Sequence, residues 1–265
     1  MTRRQWTRDE LILAMNLYCQ LPFGRLHARN PDVVQLAEFI GRTPSSVAMK
    51  LCNLASLDPF HKERGIRGLS KVAQGDREVW DEFHSHWSRL AEESETLRLQ
   101  FMPPTADEAE DTVCEEAALG IGESVLQFAG ETERQATTSV RLAQRFFRRS
   151  VLASYDSECC VSGIRIRSLL VASHILPWSA FPAHRADPRN GLCLSRLHDA
   201  AFDRGLITLD GECRLVLSRE LNDHTSNRVL REAFTAFEGM PIRLPQKFRP
   251  LSEFLDGHRN TIFCG

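Results

Sequence analysis

The chain has 265 residues, of which 42% are hydrophobic and 26% charged, and a formal net charge of −2. That balance suits one large globular domain or two small ones, and excludes a collagen-like, disulfide-scaffold or wholly disordered chain. No stretch approaches the roughly 18 uncharged apolar residues of a membrane span. Arg8, Asp9 and Glu10 interrupt any secretory hydrophobic region near the N-terminus. Eight cysteines are too sparse for a disulfide framework, so reduced thiols in the cytoplasm are expected.

The charge is unevenly spread. Residues 1–100 carry a net +1, residues 101–140 a net −8 and residues 141–265 a net +5. Seventeen of the 18 cations in that last stretch are arginine, the side chain suited to forked phosphate contacts. A basic C-terminal half is compatible with nucleic acid, though many solvated surfaces are equally basic.

Thr7-Arg8-Asp9-Glu10 is a capping-box pattern, and Leu11, Ala14, Met15 and Tyr18 follow at helical spacing, which predicts a helix over 8–20. Asn30-Pro31-Asp32 starts a second helix that stops at Gly41. Thr43-Pro44 opens a third, with Val47, Leu51, Leu54 and Leu57 inward. The pair reads as a helix-turn-helix whose outer face presents Ser45, Ser46, Lys50 and Asn53 as candidate DNA contacts, against the alternative of an ordinary core helix pair. Residues 76–101 read as one further helix, with Val79, Trp80, Phe83, Trp87 and Leu90 inward and Pro103-Pro104 beyond it. The acidic segment 105–133 reads as a linker or as a helix lying over a basic surface. Residues 134–153 are helical, and Arg145, Arg148 and Arg149 there are candidate phosphate contacts beside Arg141. Phe146 and Phe147 cannot share one narrow face. One ring is expected on the C-terminal core, the other on a second subunit or the N-terminal region.

The chemistry concentrates in 158–210. A short apolar run, Leu169–Ala172, suits a buried strand, and His174 stands just past it, followed by Ile175-Leu176-Pro177-Trp178. Asp187-Pro188-Arg189-Asn190-Gly191 is turn chemistry, and Leu192–Leu194 a second strand. Ser195 is an N-cap candidate for a short helix carrying His198, Asp199, Phe202 and Asp203 before Gly205. The order is strand, loop, strand, helix, with His174, Asn190 and His198 at the junctions.

Over roughly residues 150–210 this resembles the HNH nuclease family, and within it the HNH domains of bacterial restriction-type endonucleases. The resemblance implies an α+β protein: a helical region over 1–102, an acidic linker over 103–133, and a ββα-metal nuclease domain over 134–265. It implies metal-dependent DNA endonuclease activity in restriction or defence against foreign DNA. In that reading His174 is the general base, Asn190 orients the base-bearing loop, and His198 binds one divalent metal, Mg²⁺ or Mn²⁺ with Ni²⁺ or Zn²⁺ as options. Family members often place Asp before the base histidine; here Ser173 stands there, leaving Asp199 and Asp203 as further ligand options. That serine keeps open a second reading, a non-catalytic DNA-binding regulator on an HNH scaffold. Cys159 and Cys160 are adjacent and wrongly spaced to build a zinc knuckle with Cys193 and Cys213, so they read as buried small hydrophobes. One base and one metal per core cut one strand, so a double-strand break calls for a homodimer.

Overall fold

A computed structural model describes residues 4–65, 72–100, 131–224 and 226–265, with side chains from residue 137 onward in the helix that opens the third stretch. The acidic segment therefore lies outside the described residues except for its last three.

The N-terminal region is helical: α1 (Arg8–Gln20), α2 (Pro31–Phe39), α3 (Pro44–Ala55), α4 (Pro59–Glu63), α5 (Gln74–Ser85) and α6 (Trp87–Leu99). The capping box forms as its residues dictate: Glu10 N donates to Thr7 Oγ1, and Thr7 N donates to Glu10 Oε2 at 2.9 Å. Gly41, at φ +63°, sits in the left-handed region that ends α2. The single helix expected over 76–101 is two. His86, at φ −143° and ψ 53°, leaves helical geometry, and the turn redirects α6, whose Trp87 packs against Phe146 at 6.2 Å and Phe248 at 5.6 Å. Burial of apolar rings thus outweighs a continuous hydrogen-bond ladder here.

A long helix, α7 (Glu131–Ser154), follows. Beyond it β1 (Leu170–His174) pairs antiparallel with β2 (Gly191–Ser195), from Leu170 opposite Ser195 to His174 opposite Gly191. The strand therefore runs two residues further than its apolar run, and His174 closes it. Helix α8 (Arg196–Asp203) leaves β2 directly, capped by the Ser195 hydroxyl. A second hairpin pairs β3 (Ile207–Leu209) with β4 (Leu215–Leu217), followed by α9 (Arg219–Asp223), α10 (Arg228–Ala233) and α11 (Ser252–Thr261). Among the described residues no helix is long and apolar enough to cross a membrane.

Two apolar cores result, and α7 belongs to both. Phe146 enters the N-terminal core, 6.2 Å from both Phe83 and Trp87, while Phe147 enters the core around the β1–β2 sheet. The N-terminal helices, not a second subunit, thus cover the Phe146 ring. Each fully buried ring contributes roughly 2–3 kcal/mol through lost apolar surface. A second tie comes from the far end of the chain. Lys247 is wholly buried, and its ammonium donates to the backbone oxygens of Tyr18, Cys19 (2.8 Å) and Leu21 (2.7 Å). It fills the C-terminal end of α1, where helix carbonyls lack partners and attract positive charge. Burial pulls the Lys247 pKa down to about 7.

Candidate active site

His174 is set by three neighbours. Its ring stacks on Phe147, with centroids 3.8 Å apart and planes 13° apart, and meets Trp178 edge-on at 5.3 Å. Its Nε2 lies 2.9 Å from the backbone oxygen of Arg185. A carbonyl can only accept, so Nε2 carries the proton and Nδ1 the lone pair. Burial lowers the His174 pKa to about 4, against a smaller upward pull from the Arg185 carbonyl, so the ring is neutral near pH 7.

Asn190 joins the two strands at the level of this ring. Its Oδ1 accepts from Leu176 N at 2.8 Å, and its Nδ2 donates to Leu176 O at 3.3 Å and His184 O at 3.2 Å. Its own carbonyl accepts from Ile175 N at 2.9 Å. These bonds fix both ends of the loop that follows His174. The next residue must lack a side chain. A Cβ on Gly191 would run into Val151 and stand 2.9 Å from the Phe147 ring. The Asn-Gly pair therefore serves close approach of α7 to the sheet, and not a two-residue hairpin turn.

Arg185 secures the other side of the loop. Its Nε donates to Trp178 O at 2.8 Å, and its guanidinium lies over the Trp178 ring at 5.1 Å. The residue whose carbonyl orients His174 is thus clamped by its own side chain.

On α8, Asp199 and Asp203 are four residues apart and share a face. Burial raises the Asp199 pKa, opposed by the Ser173 hydroxyl and by Arg196 and Arg204. Asp203 is raised to about 6, first by loss of water around its carboxyl and then by repulsion from Asp199. Ser173 is 2% exposed; its hydroxyl forms no well-shaped hydrogen bond, yet lies close enough to Asp199 to favour its charged form. Two crowded carboxyls beside an undersatisfied hydroxyl make an all-oxygen donor set, which fits a hard divalent cation.

His198 does not join that set. It is 2% exposed, its Nδ1 lies 2.7 Å from Ser195 Oγ, and its Nε2 lies 2.8 Å from Ala233 O. Both nitrogens are committed inside the protein. Cys159 Sγ lies 3.9 Å from the same Nδ1 and accepts from Ser195 N at 3.2 Å. Burial works against ionisation there, but the contact with His198 and donors from the Ser162 segment bring the Cys159 thiol down to about 6. Cys159, Ser195 and His198 thus form a buried polar cluster that pins α8 to the segment before β1. Among the described residues no three His, Cys, Asp or Glu side chains gather as a metal cluster.

Three of the seven candidate DNA contacts, Lys50, Asn53 and Arg148, are turned inward. Lys50 is 6% exposed and ion-paired with Asp76, and Asn53 donates to the same carboxylate at 3.3 Å. The helical pattern of α3 places them outside, but α5 packs over that face and supplies the buried acid. Ser45 is exposed and Ser46 half-buried at the start of α3. Arg148 is buried, with Nη1 donating to Leu170 O at 3.0 Å; Arg149 reaches toward Glu95 at 3.9 Å, and Arg145 is half-buried. Arg148 therefore ties α7 to β1 and does not form part of an open phosphate rail.

Residues 159–210 match the family model described as HNH endonuclease. This segment is similar to an HNH nuclease domain. The HNH segment begins at Cys159, just after α7, and ends at Asp210, just after β3; it includes His174, Asn190 and the carboxylate face of α8. No curated protein matches the chain. Phe147 lies outside the HNH segment, and only the pairing of rings at 146 and 147 pointed to it. The Arg185 carbonyl had no sequence signal at all, because any residue supplies one.

Proposed function

We propose that the chain is a metal-dependent DNA endonuclease and that His174 is its general base. The observation that carries this is the state of the ring: neutral, stacked on Phe147, and protonated on Nε2, so that Nδ1 holds a lone pair. Nδ1 takes a proton from water as that water attacks a phosphodiester phosphorus. The Arg185 carbonyl, already bonded to Nε2–H, stabilises the imidazolium that forms. Asn190 keeps the loop still while this happens, because it holds backbone at Leu176 and His184 together.

Asp199 and Asp203, with the Ser173 hydroxyl, are the residues that would hold one divalent cation, and their oxygen donors favour Mg²⁺ or Mn²⁺ over Ni²⁺ or Zn²⁺. Such a cation supplies charge neutralisation at the phosphate and the departing 3′ oxygen. His198 serves the fold of α8 and not the cation. A place in restriction or defence against foreign DNA follows from the family resemblance.

Incubating the protein with plasmid and Mg²⁺, Mn²⁺ or Ni²⁺ tests the reading, with modified and unmodified plasmids compared. The ratio of nicked to linear product reports whether two copies act together. Cleavage that requires metal and is lost in His174→Ala supports the nuclease. Ser173, where a carboxylate is common, keeps open the second reading, a DNA-binding regulator; plasmid bound but left intact with every metal would establish it.

A further inference from the structure

We propose that Arg185, Arg196 and Arg204 form the phosphate-binding rim of this site. The inference rests on the nuclease reading for the identity of the ligand, a DNA strand, but its evidence is separate. It lies in how the arginines of the C-terminal half are neutralised.

Several of those arginines pair with carboxylates of the chain itself. Arg165 and Arg243 meet Glu158, Arg189 meets Asp187, Arg214 meets Glu212, Arg228 meets Glu232 and Arg259 meets Asp256. Among the described residues, Arg185, Arg196 and Arg204 make no such pair; Arg219, Arg231 and Arg249 make none either, so the three are set apart by where they stand. Each donates to one backbone oxygen, Arg185 to Trp178 at 2.8 Å, Arg196 to Ser168 at 3.2 Å and Arg204 to Ala200 at 3.0 Å, and Arg185 also lies over the Trp178 ring. One anchored nitrogen fixes the direction of a guanidinium, and the remaining N–H groups stay available to a forked acceptor.

Their placement follows the candidate chemistry. Arg185 sits behind His174, through its carbonyl. Arg196 lies on the same stripe of α8 as Asp199 and Asp203, at spacings of three and four residues. Arg204 stands one residue beyond Asp203. Arg196 and Arg204 are exposed. Both also act electrostatically on Asp199 without closing an ion pair on it. Exposed on either side of two carboxylates, each guanidinium keeps N–H groups that its single backbone bond does not use. A nucleic acid backbone presents anions at regular steps, and a strand crossing α8 would meet Arg196 before the carboxylates and Arg204 after them.

The test is binding to a short DNA duplex in EDTA, read by fluorescence anisotropy over a range of salt, for wild type, Arg196→Gln/Arg204→Gln, and the control Arg214→Gln/Arg228→Gln. The control removes two exposed but ion-paired arginines of the same half. The rim variant should lose about two units from the slope of log affinity against log salt, since each phosphate contact releases about one counterion. It should bind at least tenfold more weakly at about 0.15 M salt, with the control near wild type. A rim variant that follows the control overturns the inference, even if the wild type cleaves DNA. A wild type that neither binds the duplex nor cuts plasmid with any metal overturns the nuclease reading as well. Circular dichroism of each variant confirms an intact fold, which the exposed positions should preserve.

Discussion

The ring of Phe147 lies flat against the ring of His174, with centroids 3.8 Å apart and planes 13° apart. The stack makes α7, a helix outside the HNH segment, one wall of the base. It excludes water from one face of the imidazole and contributes to the burial that lowers its pKa. It also couples the base to the N-terminal core through the adjacent Phe146.

Stability should depend on pH through this histidine. Its folded pKa is about 4, below the ordinary value of 6.5. The unfolded chain therefore binds the proton more readily between those values. The stabilisation is complete above about pH 6.5 and is lost as pH falls toward 4, amounting to about 2 kcal/mol at pH 5. In urea unfolding, the change in stability from pH 7 to pH 5 should differ by about 2 kcal/mol between wild type and His174→Gln, because Asp203 and the other histidines titrate in both. An unchanged pH difference in that variant would place the titration elsewhere.

Asn190→Ala should act on the rate and on stability together. It deletes one acceptor and two donor contacts that close the loop after His174. A loss of roughly 2–3 kcal/mol is expected, because the Leu176 N–H is left buried without a partner. Plasmid cleavage should slow at least tenfold with DNA affinity little changed. Wild-type rates would remove Asn190 from the positioning of the base.

Lys50→Met should damage folding and spare DNA binding. Removing the ammonium leaves the Asp76 carboxylate, which is 0% exposed, without its counter-charge. Breaking such a buried pair from one side costs about 3–5 kcal/mol. The melting temperature should drop, while the salt dependence of DNA binding at a temperature where the variant is folded should match wild type. A flattened salt slope would return α3 to the DNA interface.

EDTA should stop cleavage, and Asp199→Asn and Asp203→Asn should each raise the Mg²⁺ concentration needed for half-maximal rate by tenfold or more. His198→Gln should leave that concentration near the wild-type value and lower stability instead, because its contacts to Ser195 and Ala233 are structural. A metal requirement that moves with His198 and not with the carboxylates would reverse the assignment.

The parts legible in the sequence were those written in local rules. Thr7, Asn30, Thr43 and Ser195 are each followed by a helix whose backbone they cap, so the helix starts could be read directly. The strand–loop–strand–helix order around His174 was readable because turn residues and apolar runs alternate there. What escaped was decided by distant packing. The inward turn of Lys50 depends on Asp76 in another helix. The occupation of His198 depends on Ala233, 35 residues away. The break at His86 accompanies the packing of Trp87 on Phe146 and Phe248, both far along the chain. A pattern along one helix shows which faces differ, but not which neighbour covers the polar one.

The burial of Lys247 under the end of α1 bears on how the molecule comes apart. Its ammonium is satisfied only by carbonyls more than 220 residues earlier in the chain. Separating the two halves would open to water the packing of Phe248 on Tyr18, at 5.8 Å, and of Phe146 on Phe83 and Trp87. The N-terminal helices and the HNH segment should therefore melt in a single calorimetric transition, and a protease cut between residues 100 and 131 should yield two fragments that stay together through size exclusion.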